Sequence, residues 1–209
     1  AADFRVFWDN AYVWHDLTEH PDYLLEVLNE AKKYGTEDRF FIFASTSKIT
    51  FPGAGISCIA SSSANVKRIL RELSVQTIGH DKINQLRHAR VFRTFDDIKE
   101  QMAVHLNLIR PKFKLVRRYF RTELSGIPGV SWTRPNGGYF ITLYTPKHTA
   151  KRIVALAADA GLKLTPAGAT HPYGVNPDDD VIRIAPTYPP LDELERALPL
   201  LCCCIKLAC

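Results

Sequence analysis

The sequence predicts an α/β fold: a sheet with flanking helices, a long connecting helix and a smaller α+β C-terminal domain, with boundaries at 1–93, 94–124 and 125–209. Three observations carry this. Near-continuous apolar runs of strand length alternate with helical periodicity in the first ninety residues, as in sheets covered by helices. One long helical pattern then separates the front of the chain from the back. Beyond it, short strands and two helices are punctuated by Gly and Pro clusters.

The run FRVFW at 4–8 is aromatic and β-branched and reads as a buried strand, with Asp9 directly after it. Leu24, Val27, Leu28 and Ala31 recur at helical spacing, so 22–33 is expected to be a helix stopped near Gly35. RFFIFAS (39–45) and GISCIAS (55–61) read as a second and third buried strand, with Ser45-Thr46-Ser47-Lys48 following the second. From Ser63, Val66, Ile69, Leu70 and Leu73 share a helix face. Ile98, Met102, Leu106, Ile109, Phe113, Val116 and Phe120 mark one helix over 94–124, with a kink expected at Pro111. VSWT and GYFITLYT flank Pro135-Asn136-Gly137-Gly138 as a hairpin-like pair. A helix over 148–160, a loop-rich stretch over 161–180, a strand over 181–185 and a closing helix over 190–207 complete the chain.

Composition excludes several classes. Apolar residues at 46% and charged residues at 23% are those of a globular chain. No apolar run is long enough for a membrane span. AADFRVFWDN does not read as a signal peptide and starts almost at once in a strand, which suggests numbering that begins inside a longer protein. Net charge is +5, but the basic residues are scattered. The densest group (Lys112, Lys114, Arg117, Arg118, Arg121) reads as a solvated helix face, and no nucleic-acid partner is expected. Cys202, Cys203 and Cys204 would point about 100° apart on a helix. No zinc-type spacing is present, so no metal site is expected, and cysteine usage suits a reduced, cytoplasmic chain.

Ligands of α/β sheets sit at the carboxyl ends of strands, where Asp9 and Lys48 fall. Lys48 lies between an apolar strand and the turn Phe51-Pro52-Gly53-Ala54-Gly55. Partial burial there lowers an amine's affinity for its proton and frees a nucleophile. Ser45 and Ser47 could hydrogen-bond a phosphate or an imine. Tyr12 stands three residues after Asp9; this carboxylate and phenol could hold a pyridinium nitrogen and a ring hydroxyl. Arg183 sits inside the apolar strand Val181-Ile182-Arg183-Ile184-Ala185, where a guanidinium needs an anion and its fork suits a carboxylate.

The order Asp9-x-x-Tyr12, then Ser45-x-Ser47-Lys48 with its Pro-Gly turn, then Pro-Asn-Gly-Gly-Tyr-Phe at 135–140, then Ile-Arg-Ile-Ala-Pro-Thr at 182–187 resembles fold-type-I aminotransferases of class I/II. Ser-Thr-Ser-Lys-Ile-Thr-Phe-Pro-Gly-Ala-Gly is similar to a bacterial aspartate aminotransferase subgroup. The resemblance implies pyridoxal 5'-phosphate as cofactor, with Asp9 on the pyridinium nitrogen and Tyr12 on the ring hydroxyl. It implies Ser45 on the phosphate, Ser47 beside it, Lys48 as Schiff-base residue and proton carrier, and Arg183 on the substrate α-carboxylate. It also implies amino-group exchange between an amino acid, aspartate or glutamate, and a 2-oxo acid such as 2-oxoglutarate, in a homodimer. Residues 135–140 are expected to be structural. Many members carry an arginine at the phosphate where Gly55 stands here. The chain would be the C-terminal part, 1–93 being only a partial large domain, and alone it is expected to bind cofactor weakly or not at all. The rival readings are a pyridoxal-phosphate- and effector-sensing domain of a transcriptional regulator, and an inactive truncated chain.

Overall fold

The computed structural model describes residues 3–209. They form two compact units, one from the residues through Trp14 with Asp22–Val104, the other from His15–Pro21 with His105–Cys209.

In the first unit, β1 (Val6–Asp9), β2 (Phe40–Ser45) and β3 (Ser57–Ser61) form a sheet in that order. β1 and β2 run parallel, with Asp9 opposite Phe43. This pairing needs a crossover, and helix α1 (Val27–Lys33) lies in it. β3 returns antiparallel to β2, with Ser57 opposite Ser45. Helix α1 is shorter than its periodicity: the Glu26 carboxylate accepts the Asn29 amide at 2.8 Å and sets the start. Tyr23, Leu24 and Leu25 before it are exposed, so no packing holds another turn. Helix α2 (Ser63–Gln76) starts where helical spacing was expected to begin, capped by Ser62, whose hydroxyl accepts the Asn65 amide. Helix α3 (Lys82–Val91), capped by Asp81, has no clear apolar stripe and was not expected.

The strands are less buried than their apolar content predicts. β2 is half-buried throughout and β3 is mostly exposed. Strand alternation places Phe7, Asp9, Phe41, Phe43, Ser45, Ser57 and Ile59 on one face. Phe7 is 73% exposed there despite edge-on contacts with Phe41 and Phe43. Continuous apolar strands imply cover on both faces, and these residues cover only part of them.

Helix α4 (Phe95–Glu123) continues through Pro111, where the Asn107 carbonyl forgoes its usual backbone donor. Its later residues Phe113, Val116 and Phe120, with Leu124 directly after it, are 0–3% exposed and floor the core of the second unit. The sheet β4 (Ser131–Trp132), β5 (Ile141–Tyr144) and β6 (Val181–Ile184) is antiparallel throughout and contributes Ile141, Leu143, Ile182 and Ile184. Helices α5 (Ala150–Asp159) and α6 (Leu191–Ala208) close it with Ile153, Leu194, Leu198, Leu201 and Ile205. Cys202 joins this core and Cys204 is buried, while Cys203 and Cys209 are exposed, and all five cysteines are free. Burial pushes the Cys202 thiol up to about 11, so it stays protonated and inert at neutral pH.

Helix α5 borrows its cap. Thr149 makes no side-chain capping bond. Instead the buried Asp179, at φ +46°, offers its carboxylate to the Lys151 amide at 3.2 Å and its carbonyl to the amides of Thr149 and Ala150. Asn176 Oδ1 accepts the Asp179 amide at 3.1 Å and holds the loop in place. Asp179→Ala removes a cap and leaves at positive φ a residue without the short polar side chain that favours that conformation, so a loss of about 2 kcal/mol is expected in denaturant unfolding. A loss under about 0.5 kcal/mol would show that the cap is not used.

Candidate functional site

The turn carrying Lys48 is closed at its neck by backbone and side chain together. The Thr46 amide donates to the Ile56 carbonyl at 2.9 Å, and the Ile56 amide donates to Thr46 Oγ1 at 2.9 Å. The amides of Ile49 and Thr50 both donate to the Thr46 carbonyl, wrapping Ser47 and Lys48 into one tight turn. His88 on α3 buttresses it. Its Nδ1 faces the Asn84 carbonyl at 2.9 Å and so carries the proton. Nε2 is then the acceptor, taking the Thr46 hydroxyl at 2.9 Å. The Thr50 hydroxyl donates to the Thr46 carbonyl at 3.0 Å, and Asn84 Nδ2 donates to the Gly55 carbonyl at 3.1 Å. His88, Asn84 and Thr46 carried no mark in the sequence, because the contacts join positions up to 42 residues apart on a helix without a clear apolar stripe.

Gly55 explains its own identity. A β-carbon there would lie 2.9 Å from the Ser47 amide nitrogen and 2.9 Å from Ser47 Oγ. An arginine cannot stand at this position without moving the residue next to Lys48. Gly55→Ala is therefore expected to displace the Ser47-Lys48 turn and cost about 1–3 kcal/mol of stability. Unchanged stability, with unchanged amide shifts of Ser47 and Lys48, would contradict the close approach.

Asp9 ends β1, and its chain turns at once. The Asn10 amide donates to the Phe43 carbonyl at 2.7 Å, and one Asp9 carboxylate oxygen accepts the Ala11 amide at 3.0 Å. The other oxygen makes no hydrogen bond among the described residues. Asp9 and Ser45 line one concavity of about 480 Å³ with Phe7, Phe43, Ser57 and Ile59. Lys48, three residues beyond Ser45, is half-buried, with its ammonium 4.7 Å from the centre of the Tyr12 ring. The first unit thus brings Asp9 together with Ser45, and Tyr12 together with Lys48. Ser47 Oγ is turned towards Gly55.

Arg183 lies in the second unit, on β6 opposite Thr142. Its neighbours Ile182 and Ile184 enter the core, so alternation turns Arg183 to the other face. There its guanidinium stacks 4.5 Å from the centre of the Phe140 ring. Its Nε is buried without a hydrogen-bond partner among the described residues. Such an orphaned charged donor is costly and points to an anion. Residues 135–140 do more than shape a hairpin. The Asn136 carbonyl accepts the Leu17 amide at 2.8 Å, the Gly138 amide donates to the His15 carbonyl at 2.7 Å, and Phe140 supplies the platform for Arg183.

These donors fit a pyridoxal phosphate. Asp9 has a free carboxylate oxygen at a strand end, Lys48 supplies a primary amine from a braced turn, and Ser45 lines the adjoining concavity. Among the described residues, no group of three or more His, Cys, Asp or Glu side chains is placed to hold a metal ion. Among the described residues, no helix is long and apolar enough to cross a membrane.

The aspartate aminotransferase family model matches residues 1–209. A protein of Mycolicibacterium smegmatis, provisionally named an aminotransferase, is 46% identical over the whole chain and 49% of its own length. The aspartate aminotransferase of Corynebacterium glutamicum is 39% identical over the whole chain and 48% of its own length. The chain therefore spans about half the length of the curated relatives it matches. The solved aspartate transaminase of Corynebacterium glutamicum superposes with a TM-score of 0.96 at 39% identity, over 100% of this chain and 49% of that one. The α-aminoadipate aminotransferase of Thermus thermophilus, solved with N-(5'-phosphopyridoxyl)-L-leucine, shares the fold with a TM-score of 0.77 at 19% identity, over 98% of this chain and 50% of that one.

Proposed function

Because this chain belongs to the aspartate aminotransferase family, we propose that it supplies the lysine-bearing part of a pyridoxal-phosphate-dependent transamination site. The braced Lys48 turn, entered directly from Ser45 in the concavity that Ser45 shares with Asp9, is the observation that carries this. Pyridoxal phosphate, when bound, supplies an aldehyde carbon for the amino group and a ring that withdraws electrons. Asp9 would hold the ring nitrogen: its free oxygen accepts the N–H, and its charge favours the protonated ring. Tyr12 would donate to the ring hydroxyl, and Ser45, with Ser47 beside it, would donate to the phosphate. Lys48 would hold the cofactor through its amine and then move the proton at the substrate Cα as general base and acid. Arg183 would grip the substrate α-carboxylate with its two-pronged fork. The phosphate would need a further cation from outside this turn, since Gly55 leaves no room for one.

Aspartate and 2-oxoglutarate are the proposed pair, by kinship with the named aspartate aminotransferase, and a cytoplasmic homodimer is the proposed assembly. The test is 2-oxoglutarate-dependent loss of aspartate in a full-length protein carrying this chain. Turnover of aspartate supports the reading, and no turnover of any amino acid would overturn it. The 209-residue chain alone, with Asp9 and Phe7 exposed, is expected to bind cofactor weakly. A strong visible absorbance band on adding pyridoxal phosphate to it would contradict that expectation.

A further inference from the structure

Lys114, Arg117, Arg118 and Arg121 lie on one face of α4, at three- and four-residue spacing. Arg134, just past β4, converges on them, and together with Trp132 they enclose a concavity of about 340 Å³. Through Lys114 and Arg117 it continues into a second recess of about 210 Å³, walled by Leu17 and Pro135. The solvated face expected from sequence is thus a concave one, with a second element contributing charge.

Arg118 is paired with Glu195 at 3.0 Å. Lys114, Arg117, Arg121 and Arg134 have no carboxylate within ion-pair distance among the described residues. Like charges at this helical spacing are destabilising. The packing does not call for them either, since the buried face of the same stretch is the apolar Phe113, Val116 and Phe120. An arginine cluster lining a hollow offers planar, bidentate donors for phosphate oxygens. Lys114 and Arg121 are roughly 10 Å apart along the helix axis, longer than one phosphate group and suited to two or three in a row. Trp132, half-buried and edge-on to Phe120 at 5.6 Å, adds an aromatic wall.

We propose that this concavity binds a nucleoside polyphosphate, with its phosphate chain on Lys114, Arg117, Arg121 and Arg134 and its base against Trp132. The proposal uses residues of the second unit alone and does not rest on the transamination reading. The 209-residue chain is titrated calorimetrically with ATP, tripolyphosphate and inorganic phosphate at about 0.15 M salt. ATP is expected to bind with a Kd below about 1 mM, more tightly than tripolyphosphate, and tripolyphosphate more tightly than phosphate. Arg117→Ala with Arg121→Ala, at exposed positions, is expected to weaken ATP at least about tenfold. The charge-preserving Arg117→Lys with Arg121→Lys should lose less. Trp132→Leu should abolish the preference for ATP over tripolyphosphate and leave tripolyphosphate unchanged. Circular dichroism confirms that each variant keeps its helix content. Absence of saturable ATP binding, an unchanged Kd in the double alanine variant, or equal affinity for ATP and tripolyphosphate would each overturn the proposal.

Discussion

Lys48→Ala, in a full-length protein carrying this chain, is expected to lower kcat for transamination by at least about 10⁴-fold. The proposed mechanism assigns Lys48 two duties, holding the cofactor and moving the proton at Cα. Tyr12 is the side chain known to meet its ammonium, through the ring face at 4.7 Å, and a phenol cannot serve as a primary amine. Lys48→Arg keeps the charge and the length but not the nucleophile, so it should be as inactive as the alanine variant. That comparison separates chemistry from positioning: recovery of activity in the arginine variant would make Lys48 a mere counter-charge. Loss confined to KM would do the same.

Arg183→Ala is expected to reduce kcat/KM for the amino acid on the order of a hundredfold, through the loss of two charge-assisted hydrogen bonds to the α-carboxylate. Cofactor binding, read from absorbance, should not change. The Phe140 ring beneath the guanidinium at 4.5 Å fixes its plane, so Arg183→Lys, which retains charge without the fork, should recover only part of the loss. Unchanged kcat/KM in both variants would remove Arg183 from the substrate site and leave its buried Nε unexplained.

Much of this was legible in the sequence because it rests on local signals. β1 and β2 announce themselves by apolar runs, and Asp9 ends the first while Lys48 follows the second. The core helix α4 is visible in the spacing of Phe113, Val116 and Phe120. What was illegible depends on contacts distant in sequence. Helix α3 lacks a clear apolar stripe and leaves Ile83, Leu86 and Val91 exposed, so periodicity could not reveal it, nor His88 upon it. Gly55 looked like a missing arginine until its distance to Ser47 showed that nothing larger fits. Arg183 looked buried among Ile182 and Ile184, but alternation turns it away from the core. The basic face of α4 read as a solvated helix face because its second wall, Trp132 and Arg134, comes from another element.

Lys48 is the residue proposed to hold the cofactor. Borohydride reduction of a full-length protein carrying this chain, after incubation with pyridoxal phosphate, would fix the group to whichever lysine bears it. Peptide mass spectrometry should then find the phosphopyridoxyl group on Lys48, between Ser47 and Ile49. Stoichiometric labelling of any other lysine, or none at all in a protein that transaminates, would contradict it.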